Sequence, residues 1–282
     1  MIHVVVPTFN RVAHLSRFVD SLSHQSTHDA VTLTVVDSGS TDGTQEYLTS
    51  LDSLNSKAIC KVSVVRGNPD WWWSRAINEG LNSLRNGLSD HDQVLIINDD
   101  VVLPADYIGR LIELCTRHPN SLVTSCLVDP DESLDRPFHY GVLVDPERLS
   151  FADVPQPITG EIFRGDVASG RGTTFPARVI KEGLAARERQ LPHYLADYGM
   201  SLDARQLGCD IIGTAHHFLF TSRAQGNQVR KWGRVGRFVK IGSPDRLLSW
   251  WHIWRHKVLR QPLIVLGWKF IRYRLTPQFR SV

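Results

Sequence analysis

Residues 94–104 read VLIINDDVVLP: four aliphatic residues run straight into Asn98-Asp99-Asp100 and out again through Val-Val-Leu. A short continuous apolar run fits a strand buried on both faces, as in a mostly parallel sheet covered by helices. The end of that run poses a problem. Adjacent carboxylates repel, and each loses hydration when a strand end is enclosed. A positive partner is needed to offset the cost.

Upstream, IHVVVP (2–7) is a second apolar run, followed by Leu15, Phe18, Val19 and Leu22 at helical spacing. VTLTVVD (31–37) then precedes Tyr47, Leu48 and Leu51, again at helical spacing. A third strand is expected over 58–66, a helix over 72–84, the fourth strand over VLIIN (94–98), and a helix carrying Ile108, Leu111, Ile112 and Leu114. Continuous strands alternating with amphipathic helices predict an α/β fold with a Rossmann-like, mostly parallel sheet. From 121 to 175 the pattern loosens into shorter β-like pieces, LVTSCLV, FHYGVLV and EIFRGDVAS. Helical spacing returns at Val179–Leu184 and near 194–207, which puts Asp197 close to a helix start.

Ligands of open α/β sheets sit outside the carboxyl ends of the strands. The four ends read Pro7-Thr8-Phe9-Asn10, Asp37-Ser38-Gly39-Ser40-Thr41-Asp42-Gly43, Arg66-Gly67-Asn68 and Asn98-Asp99-Asp100. Each has a local explanation as a turn or helix cap. Their agreement along one edge favours a shared site. Adjacent carboxylates there suit a hard divalent cation, Mg²⁺ or Mn²⁺, which takes oxygen ligands and completes its shell with water and substrate phosphates.

The net charge of +3 conceals a division. From Thr221 onward fourteen Lys and Arg face Asp245 alone, a charge of +13, while the first 220 residues carry −10. The sequence therefore divides into a body (1–220) and a basic tail (221–282) that holds Trp232, Trp250, Trp251, Trp254 and Trp268. Uncharged stretches in the Trp-rich part, such as QPLIVLGW, are far short of the ~20 residues of a spanning helix. Trp beside Lys and Arg fits an interfacial helix on an anionic membrane. Nucleic acid is the rival polyanion, disfavoured by the tail's aliphatic content. The separated cysteines Cys60, Cys115, Cys126 and Cys209 and the lack of a basic, long-apolar leader predict a reduced protein in the cytoplasm, peripheral on the inner membrane face.

The ordered set VVVPTFNR (4–11), TVVDSGSTDGTQEYL (34–48), GNPDWWWSRAINEGL (67–81) and LIINDDVVLPADYI (95–108) resembles the nucleotide-sugar-dependent family 2 glycosyltransferases of GT-A fold. The resemblance continues through GRGTTFPARVIKEGL (170–184) and LPHYLADYGMSLDARQLG (191–208). It implies that Pro7, Thr8, Asn10 and Asp37 hold a nucleoside, and that Asn68, Trp73, Arg75 and Asn78 lie near the nucleotide. It also implies that Asn98-Asp99-Asp100 stands where the family has Asp-x-Asp. The first acid is Asn here, which makes Asp100 the direct metal ligand and puts Asp99 beside the ribose or donor sugar.

The resemblance further implies that Asp197 is the base of an inverting transfer from a UDP- or dTDP-sugar to a saccharide or polyprenyl-linked acceptor in cell-surface polysaccharide synthesis. An acidic residue often precedes this Asp in the family, where the present chain has Ala196. Gly170 and Arg171 border the acceptor in this reading. At least one of Trp71, Trp72 and Trp73 should face a site or interface, because consecutive residues cannot all share a helix face. His216-His217 reads better as a core or surface pair than as metal ligands. A nucleotidyltransferase would show a Gly-rich loop after the first strand, where this chain reads PTFNR. A non-catalytic adaptor acting through the tail is the other alternative.

Overall fold

The computed structural model describes residues 1–27, 31–51, 54, 56–132, 137–156, 161–223, 246–255, 267–269 and 271. The first half alternates as the periodicity requires: β1 (Ile2–Thr8), α1 (Val12–Ser23), β2 (Val31–Asp37), α2 (Thr44–Ser50), β3 (Ile59–Arg66), α3 (Trp73–Arg85), β4 (Gln93–Ile96) and α4 (Tyr107–Arg117). The second half holds β5 (Ser121–Thr124), β6 (Cys126–Val128), β7 (Val142–Asp145), β8 (Ser150–Asp153), β9 (Ile162–Arg164), β10 (Thr173–Pro176), α5 (Ala177–Lys181), α6 (Ala196–Gln206), β11 (Asp210–Thr214), β12 (Phe218–Phe220) and α7 (Leu247–Ile253).

Eight strands form one sheet in the order β3-β2-β1-β4-β10-β5-β11-β9. The first four are mutually parallel and β11 is parallel to β5, whereas β10 and the edge strand β9 run antiparallel to their neighbours. Alternate residues feed two cores, as a pleated strand demands. Val4, Val6, Leu95 and Ile97 pack with Leu15, Phe18, Leu22 and Leu111 on one face. Val5, Val94 and Ile96 pack with Ile77, Leu81, Val179 and Met200 on the other.

The unforeseen central strand β10 is what completes the site edge. Thr173 pairs with Ile96, so an antiparallel strand begins where β4 ends, and Gly170-Arg171-Gly172 rise beside Ile97–Asp100. Gly172 donates its N–H to the Ile96 carbonyl at 3.2 Å with φ +89°. A Cβ there would stand 2.7–3.1 Å from Leu219, Ser125 and Tyr107, so both the backbone angle and the space require glycine.

The tail expectation needs correction where the tail is described. Trp254 is fully buried, and Phe151 stacks on it at 5.3 Å and lies 5.5 Å from Trp250. Ile253 and Trp254 join Leu191, Ala196 and Leu202 in a third core, with Trp250 and Trp251 packed against it. Arg246 and Ser249 donate to the Gln190 carbonyl at 3.0 and 2.9 Å. Residues 246–255 therefore pack as part of the body, and Trp254 is not available to a lipid headgroup. Trp268 is 60% exposed. Trp232 and most of the remaining basic tail lie outside the described residues. Among the described residues no helix is long and apolar enough to cross a membrane.

Candidate active site

The edge is built by register. Thr8 pairs with Asp37 and Asp37 with Arg66, so the first three strands end level. The turn Asn98-Asp99-Asp100 continues from β4 to the same level, where Thr8 Oγ1 donates to Asp99 Oδ2 at 2.8 Å. Asn10, at φ 52°, stitches the first two ends together. Its Oδ1 accepts from Thr41 N at 2.7 Å, and its own N–H donates to Ser40 Oγ at 2.8 Å. Asp37 is buried, and its Oδ1 accepts the Ser40 N–H at 3.0 Å.

The positive partner demanded by the adjacent acids is Arg11, which the sequence reading passed over. Its Nη1 lies 2.9 Å from Asp99 Oδ1 and its Nη2 3.5 Å from Asp100 Oδ2. Arg171 adds a second guanidinium 3.8 Å from Asp100 Oδ2. Arg11 lies three residues past the end of β1, and only the pairing of β1 with β4 brings it to the acids. Asp99 is only 2% exposed. Burial pushes its carboxyl up to about 6, against the opposing pull of Arg11 and Thr8.

The residues present fit a divalent cation at one point. Asp100 Oδ1 is buried without a hydrogen-bond partner, while both oxygens of Asp99 are engaged. A single open carboxylate oxygen suits a cation that draws its other ligands from diphosphate and water. Among the described residues no three His, Cys, Asp or Glu side chains converge as a protein-only cage. His217 is a core residue, stacked on Tyr107 at 4.5 Å and pushed down to about 3 by burial. Arg110 donates to the His216 carbonyl.

Asp197 stands in the first turn of α6, after Leu195 at φ 66°, an uncommon backbone angle for a branched residue. Its Oδ2 accepts from Gly170 N at 2.8 Å and its Oδ1 from Tyr198 N at 2.9 Å. Burial raises its affinity for a proton, while the backbone N–H groups and Arg171 oppose that shift. The Asp197 side chain lines a tight gap with Trp73, Gly170, Phe175 and Met200. A Cβ on Gly170 would come within 2.8 Å of the Trp73 ring and 3.5 Å of Asp197 Cβ, which explains the glycine.

Trp73 is the member of the Trp run that reaches the site, and its indole N–H donates to Asn98 Oδ1 at 3.0 Å. Trp71 packs over Gly67 and under Arg75, and Trp72 lies 5.6 Å from His193. Pro7 sits in β1, and Asn68 is exposed at the third strand end. Two expected nucleotide neighbours are engaged elsewhere. Asn78 is tied through both ends of its amide to Ala186 and by its Nδ2 to Glu188, and Arg75 pairs with Glu79 and Glu188. Both clamp α3 to the segment before α6.

Residues 3–163 match the family described as glycosyl transferase family 2. The chain belongs to that family: it carries a family 2 glycosyltransferase domain. Solved structures share its fold. S. aureus TarS 1-349 in complex with UDP-GlcNAc matches at 14% identity and TM-score 0.62, over 96% of this chain and 71% of that one. The Pyrobaculum calidifontis mannosyltransferase PcManGT, in complex with GDP-Man and Mn²⁺, matches at 16% identity and TM-score 0.56, over 84% of this chain and 58% of that one. GalNAc-T7 with UDP, GalNAc and Mn²⁺ matches at 13% identity and TM-score 0.61, over 79% and 44%. Against the longer TarS structure the chain spans 36% of its relative's length. No curated protein matches the chain in sequence.

Proposed function

We propose that this chain is an inverting glycosyltransferase that moves a sugar from a UDP- or dTDP-sugar to a hydroxyl of a saccharide or polyprenyl-linked saccharide, in cell-surface polysaccharide synthesis. The observation that carries this reading is the Gly170-Arg171 step. Gly170 N–H holds the Asp197 carboxylate while the next residue's guanidinium meets Asp100, so a single loop step links a proton acceptor to the charged strand end. Relatives of the same fold are described in complex with UDP, UDP-GlcNAc and GDP-Man, which supports a nucleotide-sugar donor.

Pro7, Thr8, Asn10 and Asp37 would frame the nucleoside at the level strand ends. Mg²⁺ or Mn²⁺ would be held by Asp100 with Asp99 behind it, supplying Lewis-acid stabilisation of the departing diphosphate when bound. Arg11 and Arg171, which pair with those acids, would offset that charge. Asp197 takes the proton of the acceptor hydroxyl as its oxygen bonds to the sugar's C1 and the C1–O bond to the diphosphate breaks. Burial favours this proton transfer, because it brings the carboxylate closer to a useful basicity.

The test is Asp197→Asn. Transfer should fall by about 10²–10⁴-fold while nucleotide binding by calorimetry is retained; normal turnover in the variant removes the base assignment. For the basic tail, the charge of +13 supports a peripheral contact with the anionic inner membrane face. Co-sedimentation with phosphatidylglycerol vesicles and not with DNA is the expected outcome, and the reverse preference favours the nucleic-acid alternative.

A further inference from the structure

Charge at the strand end is balanced before any ligand arrives. Asp99 and Asp100 contribute two negative charges, and Arg11 and Arg171 contribute two positive ones within 3.8 Å. A divalent cation entering alone would leave two uncompensated positive charges beside a 2%-exposed carboxylate, which is unfavourable in a poorly hydrated site. A divalent cation arriving with a diphosphate brings its own countercharge. The two should therefore enter together.

Of the two guanidiniums, Arg11 is the one built to move. Its side chain is 38% exposed, against 22% for Arg171, and it grips both acids at once from the first residue before α1. Asp99, by contrast, is fixed by Thr8 at the end of β1. The same planar fork that spans two carboxylates also matches the oxygens of a diphosphate.

We propose that Arg11 is an exchangeable counter-ion. Without donor it bridges Asp99 and Asp100 and disfavours a metal ion on Asp100; with donor it transfers to the diphosphate, freeing the acids for the cation. Arg11 is then a positioning residue for the metal and a direct contact for the nucleotide. This inference rests on the donor-site reading above and adds to it a coupling between cation and nucleotide binding.

The signature is a pair of opposite signs. Mn²⁺ binding is followed by electron paramagnetic resonance, with and without UDP or dTDP, on wild type, Arg11→Gln and Arg11→Lys, with Arg17→Gln as a control on the outer face of the same helix. Arg11→Gln should bind Mn²⁺ alone at least tenfold more tightly than wild type and bind the nucleotide more weakly. Its Mn²⁺ gain should vanish in the Arg11→Gln/Asp100→Asn double variant. Arg11→Lys, which keeps the charge and cannot fork, should stay near wild type for the metal and remain folded if Arg11→Gln does not. Unchanged or weaker Mn²⁺ binding in folded Arg11→Gln, or tighter binding in Arg11→Lys, overturns the exchange. Such a result in a protein whose wild type still binds nucleotide with Mn²⁺ leaves the donor site standing. A wild type that binds neither overturns both readings.

Discussion

At the end of the fourth strand, Asp99 and Asp100 are balanced by the side-chain cations Arg11 and Arg171. At the start of α6, Asp197 is held by the backbone N–H groups of Gly170 and Tyr198. Burial favours the protonated form in Asp99 and Asp197 alike. The means of support differ in what they permit. Guanidiniums on flexible stems can give way to another cation, whereas backbone amides cannot leave, so the first arrangement suits ligand exchange and the second suits a base that must stay aimed.

The sides also differ in what secures them. The donor edge rests on long parallel pairings, β1 with β2 and β2 with β3. The Asp197 helix leans on α7 through the core of Leu191, Ala196, Leu202, Ile253 and Trp254. Trp254→Ala removes the largest buried ring from that support and should cost about 3–5 kcal/mol of stability. Its activity should fall while nucleotide binding persists. Equal loss of nucleotide binding in the folded variant would mean that the two sides are not separable; denaturant melts and calorimetry decide it.

A smaller effect of opposite sign is expected at Asp99. Its carboxyl is raised to about 6, so the folded state holds that proton more tightly than the unfolded chain. Ionised Asp99 therefore costs stability above about pH 6, and the cost fades as pH falls into the ordinary carboxylate range. Asp99→Asn should melt at or above wild type at pH 8, with the gain shrinking toward pH 4, even as donor binding weakens. A lower melting temperature at pH 8 would show that the Arg11 contact outweighs burial.

The first half was legible because β1 and β2 are seven-residue strands buried on both faces: IHVVVP and VTLTVVD became β1 and β2 with little change. β4, expected over 94–98, spans Gln93–Ile96; Ile97 still donates its N–H to the Val5 carbonyl at 3.1 Å, and the acidic turn follows it. Legibility failed at β10, where Thr173–Pro176 is too short to show a period and takes its place from pairings with distant β4 and β5. The helix expected at 179–184 runs from Ala177 to Lys181, just before Gly183 at φ +100°. In the tail, Trp beside Arg suggested a lipid interface, yet Trp254 fills a core. Composition alone does not distinguish a ring that meets lipid from one that meets Phe151.

Within the candidate site, Asp197, the adjacent acids and Trp73 were singled out through ordered motifs, and the structure brings Trp73 to Asn98 and Gly170 to Asp197. Arg11 was missed because a single basic residue after a strand carries no pattern; only the neighbouring strand gives it meaning. Arg75 and Asn78 were placed near the nucleotide by the resemblance alone; in the structure they contact Glu79, Glu188 and the Ala186 backbone.

The claim at the centre is that the strand-end acids receive a cation-bound diphosphate. Calorimetric titration of UDP and dTDP, with Mn²⁺ present, into wild type and Asp100→Asn tests it directly. Wild type should bind one of the two nucleotides in a Mn²⁺-dependent manner, and Asp100→Asn should bind it at least about tenfold, or ~1.4 kcal/mol, more weakly. Equal affinities in the two proteins, or binding indifferent to Mn²⁺, would contradict the account.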